Sequence, residues 1–218
     1  MVEAHMNDFK PEFDSVKEAL KDFANNKFVI VMDNEDRENE GDLIIAAEKI
    51  TTEQMAFLIR YSSGYICAPT TGERLDELEL PLMVKRNTEL MRTAYTVSCD
   101  YAHGTTTGIS AHDRALTCRK LADPSSKPDD FMRPGHILPL RSVPNGTFDR
   151  FGHTEAAVDL CKLAGLPPVA CIGEIIKDDD DQGDMARRDD CFVFAKKHNI
   201  KMITIKDIIT FRKLNETA

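Results

Sequence analysis

Short apolar runs alternate with polar, charge-rich stretches along the chain, and the spacing inside each run predicts its element. Val16, Leu20 and Phe23 recur at helical spacing behind Asp14 as a candidate cap, which predicts a short helix. FVIVMD (28–33) is a compact apolar run and predicts a buried strand, and LIIAAEK (43–49) predicts a second. Thr51 opens a helix to about Tyr61, and Gln54 three residues on completes a capping-box pattern. GYICAP (64–69) reads as a short strand, ERLDELEL (73–80) as an acidic helical turn and TAYTVSCDY (93–101) as a strand rich in β-branched and aromatic residues. After the Gly/Thr loop HGTTTGIS (103–110), Ser110 caps a predicted helix over AHDRALTCRKLA. ADPSSKPDDFMRPG (122–135) reads as loop, HILPL (136–140) as a strand and RSVPNGTFDRFG (141–152) as irregular.

The C-terminal third repeats the alternation. TEAAVDLCKLAG (154–165) predicts a helix that Gly165 ends, VACIGEII (169–176) a strand, and DDDDQGD (178–184) an acidic turn. MARRDDCFVFAKKHN (185–199), IKMITI (200–205) and KDIITFRKL (206–214) predict helix, strand and helix. Interleaved strands and helices make an α/β layered domain the predicted class. Hairpin-like adjacencies around 34–42 and 141–168 predict a mixed, parallel and antiparallel sheet. No repeat or linker divides the chain, so residues 1–218 read as one domain with 1–13 as a flexible tail.

Charge narrows the function. A net charge of -9 argues against non-specific nucleic-acid binding, which needs clustered Lys and Arg, and against an anionic membrane surface. No apolar run is long enough to span a bilayer, and the N-terminus lacks the apolar core of a signal peptide, so the expected location is the cytoplasm. The six cysteines form no C-x-x-C pair and several sit in apolar runs; they are expected as reduced, buried thiols.

Four constellations carry candidate chemistry. Asp33–Asp42 (DNEDRENEGD) is longer than an ordinary strand connection and sets one arginine among carboxylates, which suits a hard cation such as Mg²⁺; a solvated acidic hairpin tip is the alternative. Arg150-Phe151-Gly152-His153-Thr154-Glu155 opens a helix, where free N–H groups, a glycine and an arginine favour phosphate. Thr154 serves equally as a plain N-cap there, and His153 as a metal ligand or a satisfied loop histidine. Arg133-Pro134-Gly135-His136 places a histidine at a strand edge, suited to acid–base work or to structure. Glu174 closes an apolar strand, a costly place for a carboxylate without a task, or an exposed edge position. Cys67 faces either a site or the core.

DNEDRENEGDL, TTTGISAHDRA, RPGHILPL, RFGHTEAAVDL and IGEI, in this order, resemble the 3,4-dihydroxy-2-butanone 4-phosphate synthase family from about Phe13 to Thr210. The resemblance implies a single three-layer α/β domain with a mixed sheet flanked by helices, in the stand-alone form. It implies conversion of D-ribulose 5-phosphate to L-3,4-dihydroxybutan-2-one 4-phosphate and formate, for riboflavin. It further implies Mg²⁺ or Mn²⁺, two ions per active site, and a homodimer. By motif, the metal ligands fall on Glu38 and His153, and the substrate contacts on Arg37, Glu38, Asp42, Cys67, Glu174 and the run Arg150, Phe151, Gly152, His153 and Thr154. The catalytic residues fall on His136 and Glu174, with Asp42 orienting a hydroxyl. A metal-dependent sugar-phosphate isomerase or aldolase is the alternative on the residues alone.

Overall fold

The computed structural model describes residues 12–177 and 182–215. Most of the expected tail and four of the seven residues of the acidic turn at 178–184 lie outside these residues.

Seven strands form one mixed sheet: β1 (Val29–Met32), β2 (Gly41–Ala46), β3 (Cys67–Thr70), β4 (Cys99–Tyr101), β5 (Phe131–Arg141), β6 (Ala170–Glu174) and β7 (Lys201–Thr204), in the order β4-β5-β3-β6-β2-β1-β7. β1/β7 and β3/β5 are parallel pairs; β1/β2, β2/β6, β3/β6 and β4/β5 are antiparallel. β1 and β2 read as continuous apolar runs because helices cover both faces of the sheet and all ten of their residues are buried.

One face carries Ile30, Met32, Leu43, Ile45 and Cys171, packed with residues of α2 (Thr52–Tyr61), α3 (Gly72–Glu77), α4 (Ala111–Ala122) and α6 (Arg188–His198). The other carries Val29, Val31, Ile44, Cys67, Leu140 and Ile172, packed with residues of α1 (Val16–Ala24), α5 (His153–Leu163) and α7 (Ile205–Asn215). Period-two alternation sorts each strand between two cores, which gives the three-layer α/β arrangement that the resemblance implies.

The caps explain several boundaries. Thr51 and Gln54 form the expected capping box, worth about 1 kcal/mol. Ser110 caps α4 through its hydroxyl and the Asp113 N–H. Two expectations shift: Ser15, not Asp14, caps α1, while Asp14 instead binds Lys201 and the Met202 N–H of β7. Gly152, not Thr154, is the N-cap of α5, with no side-chain capping bond. β5 is also longer than HILPL, since it begins at Phe131 and includes Arg133-Pro134-Gly135. Gly135 permits this: a Cβ there would lie 2.1 Å from the Cys99 carbonyl carbon and 2.3 Å from the Asp100 nitrogen of β4. A turn-forming composition is overruled by a backbone approach that only glycine allows.

Candidate active site

The charged stretch between β1 and β2 is a built loop. Asp33, buried at the end of β1, accepts the Glu38 N–H (2.9 Å) and an Arg37 N–H (2.9 Å) on Oδ2, and the Glu40 N–H (3.0 Å) on Oδ1. Asn39 takes a left-handed φ of 54°, which turns the chain back into Gly41. Arg187, at the start of α6, donates to the Glu38 (2.7 Å) and Asn39 (3.2 Å) carbonyls from outside. The loop's own polar groups thus fix where Glu38 points.

His153 reaches the same point from α5. Its Nε2 lies 3.1 Å from the Val31 carbonyl, which only accepts, so Nε2 carries the hydrogen. Nδ1 is thereby left facing Glu38 Oε2 (3.5 Å) and Asp42 Oδ1 (3.7 Å). A donor to a backbone carbonyl on one nitrogen and a lone pair on the other is how proteins orient a metal-ligating histidine. Asp33, Glu38 and His153 each offer a ligand atom within 4.8 Å of the others. Asp42 Oδ1 is buried with no hydrogen-bond partner. This donor set fits a hard divalent cation that also accepts imidazole.

The surrounding pocket is lined by Arg37, Glu38, Glu40, Asp42, Cys67, Thr93, Tyr95, Arg150, His153, Thr154 and Glu174, with Leu140 and Ile172 beneath. The β2/β6 register pairs Asp42 directly with Glu174, and the Glu174 carboxylate accepts the Ser63 hydroxyl at 2.7 Å. The Arg150 guanidinium donates to the buried Glu155 carboxylate (2.5 Å), the Thr93 hydroxyl (3.0 Å) and the Met91 carbonyl (3.2 Å). It therefore ties the loop over residues 91–93 to α5, and the uncapped start of α5 offers N–H groups beside it.

Four carboxylates against two arginines set the electrostatics. Burial pushes the Asp42 carboxyl up to about 8. His153 rises to about 9: burial opposes its charge, but Asp42, Glu38 and Asp33 outweigh that. Glu38 falls to about 2 despite burial, because His153 and Arg37 hold it ionised. A His153 pKa raised from 6.5 to about 9 gives stability that is complete below pH 6.5 and lost as pH rises to 9. Asp42, also raised, acts in the same direction. The metal-free protein is therefore expected to melt at falling temperature from pH 6.5 to 9, with added Mg²⁺ flattening the slope because its ligand must be neutral. A thermal-melt series with and without the cation checks this; a flat metal-free profile contradicts it.

Of the residues expected from sequence, the pocket unites Arg37, Glu38, Asp42, Cys67, Arg150, His153, Thr154 and Glu174. Gly152 contributes its position rather than lining: a Cβ there would meet the Arg150 guanidinium at 2.3 Å. Phe151 turns away, 59% exposed, into a neighbouring cleft beside Asp33 and Thr204. His136 lies outside the pocket. It shares the sheet row and face of Asp42 and Glu174, but on β5, two strands from Glu174 and about 10 Å along the sheet. Its ring bonds Asp100 of β4 instead, and His136 is not among the residues that line the pocket. Sequence reasoning included Asp33 and Glu40 only as members of the acidic stretch, with no individual role, and gave none to Thr93 or Tyr95. Asp33 carried a readable signal, since it closes an apolar strand as Glu174 does; Thr93 and Tyr95 carried none.

A family model for 3,4-dihydroxy-2-butanone 4-phosphate synthase matches residues 17–211. The 3,4-dihydroxy-2-butanone 4-phosphate synthase of Schizosaccharomyces pombe is 62% identical over 200 residues, covering 91% of this chain and 97% of that protein. The riboflavin biosynthesis protein RibBA of Nocardia farcinica is 54% identical over 204 residues, 94% of this chain and 49% of its own length. A crystal structure of 3,4-dihydroxy-2-butanone 4-phosphate synthase in complex with two magnesium ions superposes with a TM-score of 0.91 at 52% identity, covering 94% of this chain and 99% of that one.

Proposed function

The chain belongs to the 3,4-dihydroxy-2-butanone 4-phosphate synthase family, and from that membership we propose that it converts D-ribulose 5-phosphate into L-3,4-dihydroxybutan-2-one 4-phosphate and formate for riboflavin synthesis. One observation carries the residue-level reading: the acidic loop and the start of α5, more than 100 residues apart in sequence, bring Glu38 and His153 to one point beside Asp42, Glu174, Arg37 and Arg150. A pocket with that excess of carboxylate repels a sugar phosphate unless cations neutralise it. Glu38 and His153 would hold Mg²⁺, or Mn²⁺, with Asp33 within reach of the same ion. A second ion per site is supported by the related structure with two magnesium ions. When bound, the metal supplies positive charge where the substrate's oxygens become anionic.

The remaining chemistry falls to the chain's own groups. Arg150 and the first-turn amides of α5 hold the phosphoryl group and fix the carbon chain. Asp42, which faces His153 and pairs with Glu174 across the sheet, orients a substrate hydroxyl. Glu174 and His136 exchange protons with the carbon skeleton as it enolises, loses water from C1, rearranges and releases C4 as formate. The water expelled is regained at formate release, so the five-carbon substrate equals product plus formic acid. Arg37, paired with Asp33 and Glu38, keeps the loop over the pocket and limits water entry.

His136 must come to a pocket from outside it, and a second copy of the chain supplies it in our reading. Tyr65, Leu82, Met83, Val84, Ile109 and Met132 are exposed, and most lie on or near the β4–β5 side of the sheet, an apolar surface suited to a homodimer. No described helix is long and apolar enough to cross a membrane, and all six cysteines are free and buried. These facts and the net charge of -9 support a cytoplasmic enzyme without nucleic-acid or membrane partners.

Ribulose 5-phosphate labelled with ¹³C at C4 tests the reaction: labelled formate is expected, whereas an isomerase or aldolase releases none. For the phosphate site, Arg150→Lys keeps the charge against Glu155 but loses the fork. KM is expected to rise about tenfold with kcat within a few-fold; an unchanged KM in steady-state assays removes Arg150 from phosphate binding.

A further inference from the structure

Asp100 is buried at the edge of the sheet and meets His136 twice. Its Oδ1 accepts the His136 backbone N–H at 2.8 Å, and its Oδ2 lies 2.6 Å from His136 Nδ1. The Gly/Thr loop closes over this contact. Gly108 has φ +90°, and a Cβ on it would fall 2.0 Å from Asp100 Oδ2 and 2.6 Å from His136 Nδ1. The loop is itself pinned, since Asp113 Oδ2 accepts the Gly108 N–H (3.0 Å), the Thr106 N–H (3.1 Å) and the Thr106 hydroxyl (2.7 Å). From beneath, the close approach of Gly135 to Cys99 and Asp100 sets the distance between β4 and β5. Three separate features thus serve one hydrogen bond, while the His136 side chain stays 40% exposed. An ion pair kept only for stability has no need of an open ring edge.

We propose that Asp100 is the positioning residue for His136: it holds the hydrogen on Nδ1 and leaves Nε2 free to exchange a proton with substrate. The inference rests on the reading of His136 as a proton-transfer group. Its logic is one of donors and acceptors. The backbone N–H and Nδ1–H of His136 need two acceptors, and an ionised carboxylate supplies two. An asparagine supplies one oxygen and one NH₂. If the oxygen keeps the backbone N–H, the NH₂ faces Nδ1, forces it to accept, and moves the hydrogen to Nε2.

The test uses Asp100→Asn, His136→Gln and the double variant in the full chain with Mg²⁺. In the unsubstituted protein, ¹⁵N spectra of the His136 ring are expected to show Nδ1–H; Nε2–H there overturns the proposal without any variant having to fold. Asp100→Asn is expected to convert the ring to the Nε2–H form and to lower kcat roughly 10²–10⁴-fold with KM little changed. The double variant is expected to be no slower than His136→Gln alone, because both lesions remove one unit. Full kcat in Asp100→Asn beside an inactive His136→Gln overturns the role of Asp100 and leaves that of His136 standing. Full kcat in His136→Gln overturns both.

Discussion

Glu38→Gln and His153→Gln are each expected to lose on the order of 10³-fold or more in formate release while remaining folded, since a misplaced metal forfeits several kcal/mol of charge stabilisation. The two changes reach this by different routes. Glu38→Gln keeps the side chain's shape and its place on the loop, because Asp33 and Arg187 hold the backbone rather than the carboxylate. It also gives up the charge that Arg37 and His153 hold ionised, so its melting temperature should fall modestly at neutral pH. His153→Gln removes the cation that three carboxylates share and the bond to the Val31 carbonyl, so it should melt lower. Calorimetric titration with Mg²⁺ alongside the turnover assay separates metal loss from unfolding. Undiminished formate release by either variant at matched Mg²⁺ contradicts the ligand assignment.

Two inactive variants are expected to restore each other. Glu38→Ala lacks the metal ligand but keeps His136; His136→Ala has the reverse defect. If a second copy brings His136 to the pocket, each mixed dimer holds one site with both defects and one with neither. Random exchange after partial denaturation and renaturation should then recover roughly a quarter of wild-type turnover from two preparations that have almost none. If His136 serves the pocket of its own chain, every site in the mixture carries a lesion and the activity stays at the sum of the two. An affinity tag on one variant, and recovery of the untagged variant with it, reports exchange, so failure to exchange is distinguishable from failure to complement. The geometry behind the expectation is simple: Asp100 and Gly108 hold the His136 ring at the β4 side of its own sheet, two strands from Glu174.

Much of this was legible in the sequence where local chemistry decides. The apolar run 28–33 contains β1, and 43–49 overlaps β2, which begins two residues earlier at Gly41; Thr51 and Ser110 cap their helices, and the acidic loop and the RFGHT segment hold the Glu38 and His153 pair. Other features depend on contacts made across the fold. β5 runs through Pro134 and Gly135 because the Cys99–Asp100 backbone lies against that glycine, a fact no turn propensity encodes. Thr154 gave way to Gly152 as the cap of α5, so the helix begins one residue before Thr154 and its first turn is left for a ligand. Tyr95 and Thr93 reach the pocket through a loop whose path depends on Arg150, Leu140 and Pro139. Asp33 is instructive because it was read only as part of the acidic stretch. The cost of ending an apolar strand in a carboxylate identified Glu174, and the same cost applied to Asp33, which holds the loop in shape.

The account turns on one cation shared between a carboxylate from the acidic loop and an imidazole from α5. Mn²⁺ substituted for Mg²⁺ makes this directly visible, because a coordinated imidazole imprints its nitrogen on the electron spin echo of the metal. The prediction is a directly bound nitrogen coupling that disappears in His153→Gln and persists in His136→Gln. Active, Mn²⁺-loaded enzyme with no such coupling would contradict it.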